Sequence, residues 1–182
     1  MIIALFGVTC VGKTTIGRIL GEELGYDFYD LDEETKLFFN DTITNIQDSC
    51  FNQHAYDGKL IEVLKTILRK CSRDSIIAVS PIYYTAKYRC PFQEHNVFSI
   101  ELRDLPENIA RRVIYTDDDD NLIENQKIDY EHEVRETKRS ISYYKKAHEK
   151  IKNKYFIDGK TAQEAAMEIV EMINSDSLVP QL

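Results

Sequence analysis

The stretch that most constrains this chain is GVTCVGKTT, residues 7–15, which follows the apolar run IIALF and leads into TIGRIL. It fits the pattern G-x-x-x-x-G-K-[ST], and it stands between a strand-like run and an amphipathic helical run, as that pattern requires. Gly7 and Gly12 let the backbone turn so that successive N–H groups point inward, and the helix that follows adds positive potential at its N-terminus. The spacing predicts a cradle for a nucleotide phosphate built from Gly7, Cys10, Val11, Gly12, Lys13, Thr14 and Thr15. Lys13 is the residue to bridge the β- and γ-phosphates, and Thr14 is a ligand for Mg²⁺. The loop specifies a nucleotide without specifying what is done with it.

Strand-like runs recur along the chain at Ile2–Phe6, 28–29, 76–79, 97–102 and 155–157, with apolar helical periods between them. Alternation of this kind predicts an α/β, three-layer P-loop fold around a five-stranded parallel sheet. A length of 182 residues fits a single domain, residues 1–182. Residues 131–154 read as a charged helix and residues 116–125, TDDDDNLIEN, as a mobile surface loop within a lid region at about 111–128. The tail after Asn174 is expected to fray.

The net charge of -8 argues against nucleic acid or an anionic membrane as partner, since either surface would repel the chain. A small-molecule acceptor is the expected partner, and nothing in the sequence fixes an oligomeric state. Cys10, Cys50, Cys71 and Cys90 form no CxxC pair, so reduced thiols and a cytoplasmic location are expected. The apolar opening is too short to span a membrane and lacks a basic flank, which predicts no export signal. His54, His95, His132 and His148 have no metal-ligand spacing.

The second informative stretch is GYDFYDLDEET, where Asp30 and Asp32 stand two residues apart at the end of the second strand. Period two places both carboxylates on one side, facing the crevice beside the phosphate loop. One can hold Mg²⁺ through water and the other can take the proton of an acceptor hydroxyl. The competing reading is a helix cap, for which one of the two aspartates suffices.

GVTCVGKTTIGRILGEELGYDFYDLDEE resembles the start of a shikimate kinase, with a P-loop, a GR pair, an LG turn and a D-x-D in that family's order and spacing. RSISYYKKA, residues 139–147, is similar to the family's R-x-P-L-Y-x-x-x-A segment without its proline, and Arg111 and Arg112 fall where the family has an arginine over adenine. DGKTAQEAAMEIV, which includes Lys160, resembles the family's nucleotide-base loop and last helix. The resemblance implies a nucleoside-monophosphate-kinase-like fold that uses ATP and Mg²⁺, with Arg112 and Lys160 at the nucleotide. It further implies Lys13, Asp32 and Arg139 as catalytic residues, with Asp32 at the acceptor hydroxyl and Arg139 at the acceptor's anionic group. Thr14 and Asp30 fall at the metal.

The departures lie on the acceptor side. Tyr56 and Asp57 stand where the family places a carboxylate-binding arginine, and Ser80, Pro81 and Ile82 replace a run of three glycines. Asp117, Asp118, Asp119 and Asp120 occupy a lid that should carry an arginine. The expected activity is therefore ATP-dependent transfer to a hydroxyl of a small metabolite other than shikimate, with donor half kept and acceptor half changed. An acceptor carrying an amine, set toward Asp57 or the lid, fits that change of sign. Strict shikimate kinase activity and an ATP-binding regulator without productive transfer are the alternatives. No N-K-x-D motif supports a guanine-specific switch. Cys10 lies where a helix N-terminus can lower a thiol pKa, although a small filler side chain explains it as well. Tyr83, Tyr84 and Tyr88 fit either a pocket lining or half-buried core.

Overall fold

The computed structural model describes residues 1–71, 74–83, 91–117, 121, 123 and 128–177. Five strands, β1 (Ile2–Phe6), β2 (Asp27–Asp30), β3 (Ser75–Ala78), β4 (Phe98–Arg103) and β5 (Asn153–Phe156), form one sheet. Its order is β2-β3-β1-β4-β5, and all four pairings are parallel. The helices that fall wholly within the described residues are α1 (Lys13–Leu24), α2 (Leu31–Phe39), α3 (Ile43–Asp48), α4 (Gln53–Lys70), α5 (Pro106–Ala110), α6 (Tyr130–His148) and α7 (Ala162–Ser177), and residues 91–94 are helical as well.

The central strand shows why the sheet needs a layer on each side. Along β1, Ile3 and Leu5 enter a core with Ile16, Leu20, Ile100, Leu102 and Ile169. Ala4 and Phe6 enter the opposite core, with Leu60, Leu64, Ile67 and Ile77. Alternate side chains of one strand, buried from Ile3 to Phe6, thus serve two separate hydrophobic layers, the condition for a parallel sheet covered on both faces.

Helix α1 can lie close to the sheet because Gly17 faces it. A Cβ there would come within 2.5 Å of the Phe28 ring. The helix ends at Gly25, whose left-handed backbone lets its N–H reach the Gly21 carbonyl.

The elements differ from the sequence expectation mainly at their ends. The apolar period through Val113 and Ile114 continues that of Ile109, but α5 stops at Ala110 and Ile114 is 67% exposed. The charged helix ends at His148, and the last helix runs past Asn174 to Ser177, with Ile169 and Ile173 anchoring it in the core. In the acidic stretch, the Asp117 N–H donates to the Asn121 carbonyl and the Ile123 N–H to the Tyr115 carbonyl. These two bonds join Tyr115 to Ile123 and Asp117 to Asn121; Asp118, Asp119 and Asp120 lie outside the described residues, as do Tyr84, Tyr88 and Cys90. Among the described residues, no helix is long and apolar enough to cross a membrane.

Candidate active site

The carboxyl ends of β1, β2 and β3 meet at the loop that opens the chain. Gly7 has φ 142° and Gly12 has φ 112°, a backbone region that L side chains rarely adopt. A Cβ on Gly7 would also lie 2.7 Å from the Leu102 carbonyl oxygen, which is backbone of the neighbouring strand. Lys13 curls back over the loop, its Nζ donating to the carbonyls of Gly7 at 3.1 Å and Val8 at 2.9 Å. Burial holds its pKa below the ordinary lysine value, while the Asp32 and Asp30 carboxylates pull the other way. A phosphate is the ligand that would relieve that burial cost.

Cys10 agrees with the reading of it as a small filler side chain and not as an activated thiol. Burial pushes its thiol pKa up, and the backbone hydrogen bond from Ile114, with Lys13 and Arg112 nearby, offsets this only in part. Desolvation outweighs these lowering contributions at this position. Its backbone is left-handed, with φ 60°, so Cys10 is a turn residue of the loop. Cys10, Cys50 and Cys71 are all free thiols.

Thr14, Asp30, Asp32 and Ser80 form the second part of the site. Thr14 Oγ1 donates to Asp30 Oδ2 at 2.6 Å, so the hydroxyl and the carboxylate proposed for a metal are in contact. Asp30 also caps α2 by accepting from the Asp32 backbone N–H at 2.9 Å. Capping and ligand function are thus compatible readings of D-x-D: Asp30 supplies the cap and Asp32 is left over. Ser80 Oγ donates to Asp32 Oδ1 at 2.6 Å. Burial raises the Asp32 pKa, while the Ser80 hydroxyl and Lys13 act to lower it and Asp30 adds to the rise. Among the described residues, no group of three or more His, Cys, Asp or Glu side chains could hold a metal ion. The Thr14 and Asp30 oxygens suit Mg²⁺, which takes few protein ligands and completes its shell with phosphate oxygens and water.

A cavity of about 370 Å³ opens between the start of α1, α5 and the turn before α7. Gly12, Thr15, Arg112, Gly159 and Lys160 are among its lining residues. The Arg112 guanidinium donates to the Val11 carbonyl at 3.0 Å and pairs with the buried Asp104. Arg112 therefore ties β4 to the phosphate loop as well as lining the cavity. Lys160 pairs with Glu168 at 3.1 Å and stands 5.5 Å over the Tyr155 ring. Asp104 and Asn108, which hold Arg112 in place, had no signal in the sequence beyond their position at the start of a proline-led helix.

On the acceptor side Tyr56 and Asp57 are both buried. Burial raises the Tyr56 pKa, with the Asp32 carboxylate adding to it. Asp57 accepts from Gln53 Nε2 at 2.7 Å and from the Tyr83 backbone N–H at 3.1 Å. One carboxylate oxygen thus holds the segment after β3 and the other holds Gln53 in the first turn of α4, so Asp57 carries a structural role in addition to the acceptor contact expected of it. The Tyr83 ring stacks on Tyr143 of α6 with centroids 4.6 Å apart, so Tyr83 joins elements. Arg139 lies on the exposed face of α6, its side chain 75% exposed, and pairs with Glu136 on the same helix. The structure brings Lys13, Thr14, Asp30 and Asp32 together and leaves Arg139 outside that cluster.

A parallel sheet in this order, with a glycine-flanked lysine loop after its central strand and a base-sized cavity beside it, defines a P-loop protein of the small-kinase class. The family model for shikimate kinase matches residues 9–174. A shikimate kinase from Bacillus licheniformis is 29% identical over 175 residues, 94% of this chain and 92% of that protein. A gluconokinase from Arabidopsis thaliana is 29% identical over 102 residues, 48% of this chain and 53% of that protein. The crystal structure of the Acinetobacter baumannii shikimate kinase in complex with shikimate superposes with a TM-score of 0.74 at 24% identity, covering 98% of this chain and 95% of that one. The chain belongs to the shikimate kinase family, and its relatives are P-loop kinases of small molecules.

Proposed function

We propose that the protein transfers the γ-phosphoryl group of ATP to a hydroxyl of a small metabolite other than shikimate. The observation that carries this reading is the contact of Ser80 with Asp32 on a buried acceptor side where Tyr56 and Asp57 replace a cation. Shikimate would need its carboxylate paired there, because an anion enclosed without a partner loses several kcal/mol of solvation.

The residues divide by role. Gly7, Cys10, Val11, Gly12, Thr14 and Thr15 present the loop and the first turn of α1 to the phosphates, and Lys13 exchanges the Gly7 and Val8 carbonyls for phosphate oxygens. Thr14 and Asp30 would hold Mg²⁺, which would supply charge neutralisation on the transferred group. Arg112 and Lys160 flank the base in the cavity beside Gly12. Asp32 takes the acceptor's proton as its oxygen attacks, at the carboxylate oxygen that Ser80 does not occupy. Arg139 reaches an anionic part of the acceptor only by leaving Glu136, at little cost for so exposed a pair. The reaction takes place within one domain, and a cytoplasmic setting suits the free thiols.

A second reading, shikimate itself as acceptor, is favoured by the near full-length match to the Bacillus licheniformis shikimate kinase. ADP release with a panel of hydroxylated metabolites, shikimate, gluconate, amino acids and aminocyclitols among them, separates the two. Saturable turnover of another acceptor with shikimate inert is the expected result, and efficient phosphorylation of shikimate overturns it.

A further inference from the structure

Ser80 follows β3 at the carboxyl edge of the sheet and is 5% exposed. Its hydroxyl points across to the first turn of α2, where it meets Asp32 Oδ1 at 2.6 Å. Among the described residues this is the one hydrogen bond made to the Asp32 carboxylate, since the Asp32 backbone N–H goes to Asp30. Asp30, by contrast, is fixed twice, by Thr14 on one oxygen and by that N–H on the other. A carboxylate torsion has broad, shallow preferences of its own, so an aspartate at the start of a helix aims only where its partners hold it. The two aspartates of the D-x-D motif are therefore held by different means, one by the phosphate loop and its own helix, the other by the strand on the acceptor side.

We propose that Ser80 is a positioning residue that holds Oδ1 of Asp32 and so turns Oδ2 toward the acceptor hydroxyl. This rests on the reading of Asp32 as the group that takes the acceptor's proton. A donor on Oδ1 leaves Oδ2 as the oxygen with open lone pairs, and the transferred proton goes there while the serine keeps its own. Ser80 also fills space beside Asp32, so the same residue restricts how bulky the acceptor can be next to its reacting hydroxyl. One side chain thus couples the aim of the proton acceptor to the shape of the pocket.

The test compares the parent with Ser80→Ala, which deletes the hydroxyl, and Ser80→Thr, which keeps it. Crystal structures of the three read the Asp32 carboxylate directly: it should rotate or split into two conformers in Ser80→Ala and stay in place in Ser80→Thr. ADP release from Mg-ATP, with the acceptor of the panel above that the parent turns over fastest, should show kcat down about tenfold in Ser80→Ala, the loss of roughly one hydrogen bond to a charged group. KM for ATP should not change, and Ser80→Thr should recover the parental kcat to within about twofold. An unmoved Asp32 carboxylate in Ser80→Ala, or an unchanged kcat, overturns the proposal. Asp32→Asn separates this from the reading beneath it. If Asp32→Asn turns over like the parent while the carboxylate still swings in Ser80→Ala, the proton-acceptor role fails and the hold by Ser80 stands.

Discussion

Gly7 shows how little freedom single residues have in this site. Its φ of 142° already excludes most side chains, and the Leu102 carbonyl 2.7 Å from any added Cβ belongs to a buried strand that cannot retreat. Gly7→Ala should cost at least about 2 kcal/mol of stability, from backbone strain together with the clash. Denaturant unfolding measures it, and a loss below half that figure would mean that the loop can relax. Asp32 is constrained by chemistry instead of space. Asp32→Asn keeps the shape and the Ser80 contact but cannot take a proton, so turnover should fall about a hundredfold or more with ATP affinity nearly intact. Titration calorimetry beside steady-state ADP release checks both halves. Equal turnover in the variant would reduce D-x-D to its capping role, which Asp30 alone fulfils.

Helices and strands meet at two charged ties, and each makes its own prediction. Arg112 joins α5 to the phosphate loop through Val11 and neutralises Asp104, whose side chain is fully buried. Arg112→Ala should destabilise the fold by roughly 3 kcal/mol, because it leaves that carboxylate enclosed without its counter-charge, held only by the Leu105 N–H and the Asn108 amide. Replacing Asp104 with Asn in the same chain should recover part of the loss, and no recovery would assign the effect to packing. On the far side of β4, Glu101 faces His148, Arg103 and Lys154, at 3.3, 2.8 and 2.7 Å. Burial alone would raise its pKa, but the hydrogen bonds from those three groups outweigh it and bring the value down to about 2. A carboxyl depressed on folding contributes stability that is complete above its unfolded pKa of about 4.5 and is lost as pH falls toward 2. Glu101→Gln should therefore lower stability at neutral pH and flatten the acid limb of the pH–stability curve between those values.

The five strands and the phosphate loop were legible because each announces itself locally, through apolar runs and glycine spacing, and the parallel sheet followed from strands alternating with helices; the strand order had no signal in the sequence. Boundaries drifted where polar residues such as Asp27, Ser75 and Asn153 take part in the ladder without any apolar signal. α3 is a single short helix whose apolar period is too brief to stand out, with Ile46 as its one buried residue. The shape of the glycine loop could be read since Gly7 and Gly12 mark its backbone turn. The acceptor half could not, because the roles of Ser80 and Asp57 are decided by partners 48 and 26 residues away in sequence. Ser80 stands where the family has a glycine, and only the fold shows that its hydroxyl meets Asp32.

At the scale of the whole molecule, the phosphate loop lies where both hydrophobic cores end. β1 enters it directly, α1 leaves it, β4 presses on Gly7, and Arg112 reaches it from α5. Anything that binds the loop in the folded chain therefore stabilises the entire domain, by an amount set by ligand concentration over its dissociation constant. Lys13 decides how much of that gain comes from phosphate. In the free protein its ammonium is held by the Gly7 and Val8 carbonyls, and burial lowers its pKa. A triphosphate offers it charged oxygens in their place, whereas adenosine leaves it where it is. Mg-ATP at about a hundred times its dissociation constant should contribute roughly 2.7 kcal/mol, which for a domain of this size is a rise in Tm of about 5–10 °C. Lys13→Ala should remove most of that rise at the same ATP concentration while leaving the smaller shift given by saturating adenosine unchanged. Thermal unfolding with each ligand, for parent and variant, is the measurement. Equal losses with ATP and adenosine would mean that Lys13 supports the fold of the loop and not its grip on phosphate, and the assignment of the loop to the triphosphate would have to be given up.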